Sequence, residues 1–399
     1  MVPDIRLNGF SGDWDNVTIG EVSSSFSGGT PTAGVPAYYG GNIPFIRSGE
    51  ITKDKTSLYL TEEGLSSSSA KIVKKGTLLY ALYGATSGEV GISKLDGAIN
   101  QAVLAIIPHS GINSEYLAHY LRAKKDKIVA TLLQGGQGNL SGALIKGVKV
   151  SIPRLFEEQQ NIASFFHLLD TFILLTAKKA DSLKQLKIAS LQSMFPQEGE
   201  SVPQVRFGNR TTPWEEFNLG TLLTERHDVS TITPNLPQLS FTIAEGIIRP
   251  EDRKSNQRDF LIKDKDNKRY LVTRVGDIIY NPANVVYGAI HRNSLIDGVV
   301  SPIYRIFSSN QDSRFMECVV RRPSFIISLA MRTEGTVTKL KTLKPEAFLD
   351  MTVSIPTDLE EQRMIGEYFK NLDAQISFQS QRLEKLKQIK SACLDNMFV

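Results

Sequence analysis

The sequence predicts an α+β protein in which two globular domains are separated by two long helices that pair as an antiparallel coiled coil. Three observations predict this fold: an internal repeat, a heptad pattern of apolar residues in both copies, and dissimilar segments between matched ends. Residues 150–196 and 353–399 align at a constant offset of 203 positions (353 − 150) without a gap, and 20 of the 47 aligned residues are identical. A repeat of this length indicates a tandem duplication with pseudo-twofold symmetry.

Each copy of the repeat begins as a strand and continues as a helix. The opening V-S-I-P, at 150–153 and 353–356, predicts a strand that ends because proline cannot continue an inner ladder. Glu157–Glu158 and Glu360–Glu361 then predict the first helical turn, where the helix dipole favours negative charge. Thr357 with Glu360 has the pattern of a capping box. A helix over 157–195 would be about 60 Å long.

The apolar residues of the two helices recur at a mean spacing of 3.5, which is typical of a coiled-coil seam. The seam predicted for helix packing comprises Ile162, Phe166, Leu169, Ile173, Leu183, Ile365, Phe369, Leu372, Ile376, Leu383 and Leu386. Two independent surface helices are the alternative, but a shared register favours pairing. The first helix leads into the second globular segment, where the second helix starts. Paired helices must therefore be antiparallel.

The duplication covers both ends of each half and leaves the middle unmatched. Residues 2–20 resemble residues 202–220 at several positions, among them Arg6 with Arg206 and Trp14 with Trp214. Residues 21–149 and 221–352 share only scattered signals, and helices are expected near 114–127 and 314–331. The predicted segments are a first α+β domain (1–152), a central spacer helix (153–196), a second α+β domain (197–355) and a C-terminal spacer helix (356–399).

Composition places the chain among ordinary globular proteins. It has 399 residues, a net charge of +4 and a pI of about 8.8, which weakly favours a polyanionic partner. Its two cysteines, Cys318 and Cys393, suit a reducing cytoplasm. The N-terminus lacks a signal-peptide pattern. The apolar window 162–177 is too short for a membrane span, so no membrane association is expected.

Motifs for catalysis or for a metal are not found in the sequence. It contains no G-x-x-x-x-G-K-[ST], no H-E-x-x-H and no C-x-x-C pair, so we predict no catalytic site, no metal and no cofactor in this chain. Residues 281–284, N-P-A-N, partly match the N-P-P-[YF] loop of adenine methyltransferases. The second proline and the aromatic residue of that loop are missing, which argues against methyl transfer by this chain.

A Gly-rich stretch at 83–91 could cradle a phosphate, form a tight hairpin or face DNA. Asn suits adenine and Arg suits guanine in the major groove, while Lys and Arg suit phosphates. The candidate DNA-binding residues are Lys53, Lys74, Lys75, Tyr83, Thr86, Ser87, Lys94, Gln134, Gln137, Asn139, Arg249, Arg253, Lys254, Arg274, Asn281, Asn284, Tyr287, Arg292, Thr336 and Lys339. Each is also explained by a solvated surface side chain.

The duplicated motifs, taken together, resemble the specificity (S) subunit of type I restriction–modification systems. The resemblance covers the whole chain. It rests on I-P-x-x-x-E-E-Q-x-x-I at 152–162 and 355–365, and on F-x-x-L-D at 166–170 and 369–373. The L-K-Q-x-K tails that begin at Leu183 and Leu386 and the Met-Phe pairs at 194–195 and 397–398 complete the set.

The resemblance implies a non-catalytic protein whose two α+β domains are target-recognition domains, each reading one half of a bipartite, non-palindromic DNA site. Its helices would set the unread gap and dock two modification subunits, which bind S-adenosylmethionine and methylate adenine. Two restriction subunits would join in systems that have them. From the residues alone, an assembly adaptor with two protein-binding domains and a self-sufficient methyltransferase remain alternatives.

Overall fold

The computed structural model describes residues 2–133, 139–253, 268–333 and 342–399, which divide into two compact units. The first unit comprises Met1–Ala177 and Gln381–Val399, and the second comprises Lys178–Ser380. The units cut across the four segments predicted from the sequence, because each unit combines the beginning of one long helix with the end of the other.

The first unit contains strands and short helices before its long-helix segments. Its strands are β1 (Asp15–Thr18), β2 (Ser23–Ser27), β3 (Tyr39–Ile46), β4 (Tyr59–Leu60), β5 (Lys71–Val73), β6 (Leu78–Ala81), β7 (Val90–Ile92), β8 (Gly97–Ile99), β9 (Val103–Pro108) and β10 (Lys149–Ile152). Its helices are α1 (Ile19–Val22), α2 (Glu62–Ser66), α3 (Ser114–Ala123), α4 (Lys125–Leu133), α5 (Gly142–Lys146) and the first part of α6 (Phe156–Ser193).

Two four-stranded sheets form the body of the first unit. Their strand orders are β2-β9-β6-β7 and β4-β3-β8-β5, and β1 pairs separately with β10 in antiparallel fashion. Apolar side chains at alternate positions of β6 and β9 face a core that also contains Trp14, Tyr116 and Phe166. The sheet thus packs against α3 and the start of α6.

The second unit begins and ends with the same order of elements. Its strands are β11 (Glu215–Asn218), β12 (Leu223–Glu225), β13 (Val229–Ser230), β14 (Ser240–Thr242), β15 (Gly246–Ile248), β16 (Tyr270–Thr273), β17 (Ile278–Tyr280), β18 (Ile290–Arg292), β19 (Gly298–Val300), β20 (Arg305–Ser309) and β21 (Thr352–Ile355). Its helices are α7 (Leu219–Leu222), α8 (Ser313–Arg321), α9 (Pro323–Met331), α10 (Pro345–Leu349) and the first part of α11 (Leu359–Met397).

The frames of the two units agree strand by strand, whereas their peripheral strands differ. The order β12-β20-β17-β18 reproduces β2-β9-β6-β7, and the pair β11-β21 reproduces β1-β10. The described parts of the second unit otherwise form the sheets β13-β16-β19 and β14-β15, in place of the second four-stranded sheet of the first unit. The α+β class predicted from the sequence is confirmed, and so is the matched frame around dissimilar segments.

Two local expectations need correction. Each helix expected near 114–127 and 314–331 is two helices, α3 with α4 and α8 with α9. Arg322 is extended (φ −61°, ψ 140°) because it precedes Pro323, whose ring disfavours helical geometry at the residue before it. At the start of α11, Asp358 rather than Thr357 provides the cap, since its Oδ1 accepts from the Glu360 amide at 2.9 Å.

The two long helices are confirmed at 156–193 and 359–397. Among the described residues, no helix combines the length and the apolarity needed to cross a bilayer.

Candidate nucleic-acid interface and the paired helices

Within each unit, the segments of α6 and α11 run in opposite directions. In the first unit, the ring of Phe166 stacks on Phe398 at 5.4 Å and Asp170 Oδ1 accepts from Lys390 Nζ at 2.5 Å. In the second unit, Phe369 lies 6.2 Å from Phe195, and Asp373 accepts from Lys187 Nζ at 2.5 Å. Residue numbers rise along one segment while those of its contact partners on the other segment fall, so the pairing is antiparallel in both units.

The two ion pairs explain why one pattern is repeated in both halves. Asp170 and Asp373 end the two F-x-x-L-D motifs, and Lys187 and Lys390 lie in the two lysine-rich tails. In an antiparallel pair, the aspartate of each copy meets the lysine of the other copy. These side chains are partly exposed, so each pair contributes at most about 1 kcal/mol. We infer that the ion pairs specify the register of the two helices and contribute little to stability.

The predicted seam residues differ in burial along the helices. Ile162, Phe166, Leu169, Ile365, Phe369 and Leu372 are buried. Ile173, Leu183, Ile376, Leu383 and Leu386 are half-buried. The buried set lies near the start of each helix, where the sheet domain also covers it.

The repeated E-E-Q motif attaches each sheet domain to its long helix. Glu158, 1% exposed, accepts from Arg6 Nε at 2.7 Å and Arg6 Nη2 at 2.8 Å. Its counterpart Glu361 accepts from Arg206 at 2.8 and 2.6 Å. The second glutamate of each pair therefore binds an arginine, which is half-buried for Arg6 and almost fully buried for Arg206, a role that the first-turn argument alone did not predict. The matched Arg6 and Arg206 were the signal that could have shown it.

The role of the glutamines in the same motif was not predicted from the sequence. Gln159 Oε1 accepts from the Asn113 amide at 2.8 Å, and Gln159 Nε2 donates to Pro153 O at 2.9 Å. Gln362 makes the same two bonds, with Asp312 at 3.1 Å and Pro356 at 2.8 Å. Asn113 and Asp312 are the N-caps of α3 and α8. Each glutamine thus holds the start of a domain helix against the start of a spacer helix.

The first candidate loop, residues 82–89, connects β6 to β7. Ser87 Oγ donates to Leu82 O at 3.1 Å, and the Leu140 amide donates to the same carbonyl at 3.1 Å. The second bond brings the segment that begins at Asn139 beside the loop. Four candidates meet here, namely the half-buried Tyr83, Thr86 and Ser87 and the exposed Asn139.

The second candidate loop, residues 281–288, occupies the same place in the second unit. The Leu343 amide donates to Pro282 O at 3.1 Å, as Leu140 does to Leu82. Asn281 Oδ1 accepts from the Ala283 amide at 3.0 Å, which shapes the turn. The loop carries three candidates, the half-buried Asn281 and Asn284 and Tyr287, which is 65% exposed.

A basic corner lies at the turn before β6. Lys74 Nζ is 3.3 Å from Asp96 Oδ2, and the Lys75 amide donates to Asp96 Oδ1 at 2.7 Å. The Gly76 amide donates to Ser93 O at 2.8 Å, which places Lys94 beside this turn. Arg274 holds the matching turn of the second unit, where Val275 donates to Asp297 at 2.8 Å. All four candidate cations are exposed.

Lys53 lies on a loop that a buried carboxylate organises. Glu50 accepts from Arg47 Nε at 3.1 Å and from Ser57 N and Oγ at 3.1 and 2.9 Å. Burial opposes the ionisation of Glu50, but these hydrogen bonds outweigh it and lower its pKa to about 2. The carboxylate is therefore ionised at neutral pH and holds the loop, on which Lys53 is exposed.

The remaining candidates do not gather at the two loops. Arg249 is exposed and 3.9 Å from Glu251, and Arg253 is half-buried. Arg292 places Nε 3.5 Å from Glu317 Oε2 on α8, so its charge is already paired. Five candidates lie outside the described residues, namely Gln134, Gln137, Lys254, Thr336 and Lys339.

Comparison with known proteins supports the resemblance. Residues 11–185 match the family model described as the type I restriction modification DNA specificity domain. Over 191 residues the chain is 29% identical to the type I restriction enzyme MjaIX specificity subunit of Methanocaldococcus jannaschii, covering 46% of this chain and 44% of that protein. Over 189 residues it is 25% identical to the EcoR124I/EcoR124II specificity subunit of Escherichia coli, covering 45% and 46%.

These alignments span less than half the length of the curated relatives. In fold, the chain is similar to the crystal structure of the type I restriction–modification S subunit from M. genitalium, with a TM-score of 0.63 and 15% identity. That match covers 100% of this chain and 99% of the other. The resemblance predicted from the duplicated motifs is thus confirmed: residues 11–185 match the model of the type I restriction modification DNA specificity domain, and the chain has the fold of a type I S subunit.

Proposed function

We propose that this chain is the DNA-reading specificity subunit of a type I restriction–modification complex, and that each unit reads one half of a bipartite, non-palindromic site. The observation that carries the proposal is the pair of candidate loops. They occupy the same place in matched frames but present different side chains, Tyr83, Thr86 and Ser87 in one and Asn281, Asn284 and Tyr287 in the other. Different donors and acceptors read different bases.

The chain itself leaves chemistry to its partners in this proposal. Two modification subunits dock on the paired helices, bind S-adenosylmethionine and methylate adenine N6 after the base is flipped out of the duplex. Restriction subunits join where the system has them. The sequence supports this division, since it lacks the motifs of a methyltransferase.

Exchange of one recognition segment tests the proposal. Residues 21–149 are replaced by the equivalent segment of another specificity subunit, and methylated sites are sequenced in cells that also express the modification subunit. The junctions lie close together because β1 and β10 pair from Thr18–Lys149 to Asp15–Ile152, so the graft leaves β1 and α6 in place. We expect the first half-sequence to change and the second to persist. Unchanged sites would contradict the proposal.

The length of the helix pair should set the length of the unread gap in the DNA site. A heptad inserted after Lys178 in α6 and another after Gln381 in α11 preserve the seam and lengthen both helices by about 10 Å. Because base pairs rise about 3.4 Å each, we expect the gap to grow by about three base pairs while both half-sequences persist. The matched control inserts the heptad into α6 alone, which breaks the seam. An unchanged gap in the double insertion would show that the helix pair does not set the gap length.

Tyr287 should contribute to DNA affinity without contributing to stability. The residue is 65% exposed, so Tyr287→Ala removes little packing. An exposed aromatic side chain at the centre of an interface contributes strongly to binding, and we expect DNA affinity of the assembled complex to fall about tenfold. Ile303→Ala, at a residue 58% exposed in the same unit, is the control. Equal DNA affinity of the two variants would show that Tyr287 does not contribute to DNA binding.

A further inference from the structure

A polar pair of residues beside the first candidate loop was not predicted from the sequence. Thr30 follows β2, and Gln101 lies in the turn between β8 and β9. Thr30 Oγ1 donates to Gln101 Oε1 at 2.5 Å, and both residues are exposed. Because water competes for exposed hydrogen bonds, this bond contributes little to stability. The pair is therefore available to a ligand at small cost to the fold.

Leu82, the first residue of the candidate loop 82–89, joins the turn of Gln101 to that loop. Its amide donates to Ala102 O at 2.8 Å, and its carbonyl accepts from the Leu140 amide at 3.1 Å. Gln101 is the neighbour of Ala102 in the chain, so it lies beside the loop. It is therefore close to the residues that the proposed function assigns to base reading in the first unit.

Gly28 places Thr30 against this turn. A Cβ at Gly28 would lie 1.8 Å from Ile99 O, at the end of β8. Only a residue without a side chain lets the backbone approach so closely. Thr30 follows Gly28 by two residues and Gln101 follows Ile99 by two, so the close approach brings the two side chains together. The backbone therefore determines the contact between them.

The hydrogen bond from Thr30 orients the Gln101 amide for recognition of a base. Oε1 accepts this bond and keeps a second lone pair, while Nε2 makes no hydrogen bond among the residues that the structure describes. An acceptor and a donor side by side match the N6 amino group and N7 of adenine in the major groove. An amide that is already oriented loses less conformational entropy when it binds.

The matching turn of the second unit lacks this arrangement. The strand registers that align β6 and β9 with β17 and β20 put Pro302 at the position of Gln101. Pro282 likewise takes the position of Leu82, and proline has no amide hydrogen to donate to the turn. The proline ring offers a base no hydrogen bond. A difference of this kind between the units is what two unlike half-sequences require.

We propose that Gln101 is a base-reading residue of the first unit, that it recognises adenine in the major groove of the first half-sequence, and that Thr30 positions its amide. This inference rests on the proposed function and assigns one base contact within it. Thr30 is a positioning residue, because its hydroxyl acts through the Gln101 amide and need not touch the DNA.

The test measures DNA affinity of the full chain assembled with its modification subunit. The probes are duplexes that carry the site methylated in cells, each with one base pair replaced. We expect Gln101→Ala to reduce discrimination about tenfold or more at one A·T pair of the first half-sequence, and at that pair alone. 7-Deazaadenine, which lacks N7, should weaken binding there for the unsubstituted chain and not for Gln101→Ala.

Thr30→Val tests the positioning role, because it keeps the shape of the side chain and removes the donor. We expect it to reduce discrimination at the same pair by a smaller factor, and to have no further effect when combined with Gln101→Ala. An equal effect of Thr30→Val in the presence and absence of Gln101 would overturn the positioning role.

Gln160→Ala, at an exposed glutamine of α6 in the same unit, is the control and should leave discrimination within twofold. Unchanged discrimination in Gln101→Ala, an equal loss at every base pair, or a loss confined to the second half-sequence would overturn the inference. The exchange of residues 21–149 separates this failure from that of the proposed function. If the exchange changes the first half-sequence while Gln101→Ala changes nothing, only the assignment of Gln101 fails.

Discussion

Replacing Glu361 with alanine is expected to lower the free energy of unfolding by about 3–5 kcal/mol, because it leaves the buried Arg206 guanidinium without its carboxylate. The two side chains form two hydrogen bonds of 2.8 and 2.6 Å and are almost fully buried. Removal of the carboxylate leaves the guanidinium without an ionised acceptor, so the desolvation cost of the arginine is no longer offset. Denaturant unfolding followed by circular dichroism measures the change.

A neighbouring exposed pair provides the control for Glu361. Arg210 and Asp358 lie 3.0 Å apart, but their side chains are 27% and 48% exposed. Arg210→Ala should cost about 1 kcal/mol or less, since solvent screens such pairs. The buried-pair explanation requires the cost of Glu361→Ala to exceed that of Arg210→Ala clearly. Equal costs would show that the Arg206 pair contributes no more than a surface pair.

Phe398→Ala should destabilise the first unit by about 3–5 kcal/mol, as expected for a large buried aromatic side chain. Phe398 is 2% exposed and its ring lies 5.4–5.7 Å from those of Tyr116, Tyr120 and Phe166. Truncation leaves a cavity among rigid neighbours that relax only partly. Thermal unfolding should therefore start at a lower temperature in the variant.

Phe378→Ala is the matched control, because it makes the same substitution within α11, the helix that ends immediately before Phe398. Phe378 is 60% exposed, so its truncation should change stability by about 0.5 kcal/mol or less. If both variants lose the same stability, the contacts of Phe398 do not anchor the end of α11 in the first unit.

The frame could be predicted from the sequence because its segments occur in two copies. Repetition separates residues that the fold requires from residues that vary, and it identified both long helices, the V-S-I-P strands and the Met-Phe pairs. The heptad spacing likewise predicted pairing, because a helix of this length cannot bury its stripe alone.

The candidate interface was harder to predict, since it depends on contacts between segments that are distant in the chain. No local pattern joins Leu140 to Leu82 or Leu343 to Pro282, yet these bonds bring Asn139 to the first loop and shape the second. Arg292 suits guanine by residue type, but its pairing with Glu317 follows only from the packing of α8 on β18. The role of Gln159 needed the position of the α3 cap.

The backbone bond between the Ile5 amide and Asn396 O, at 3.0 Å, has a consequence for chain connectivity. Val205 and Ser193 make the same bond in the second unit, where residues 194–204 join them covalently. A circular permutant that links residue 399 to residue 2 through a short peptide and opens the chain near Gly199 should therefore fold, with the order of its halves exchanged. Because of the duplication, we expect the fold not to depend on which of the two halves comes first in the polypeptide.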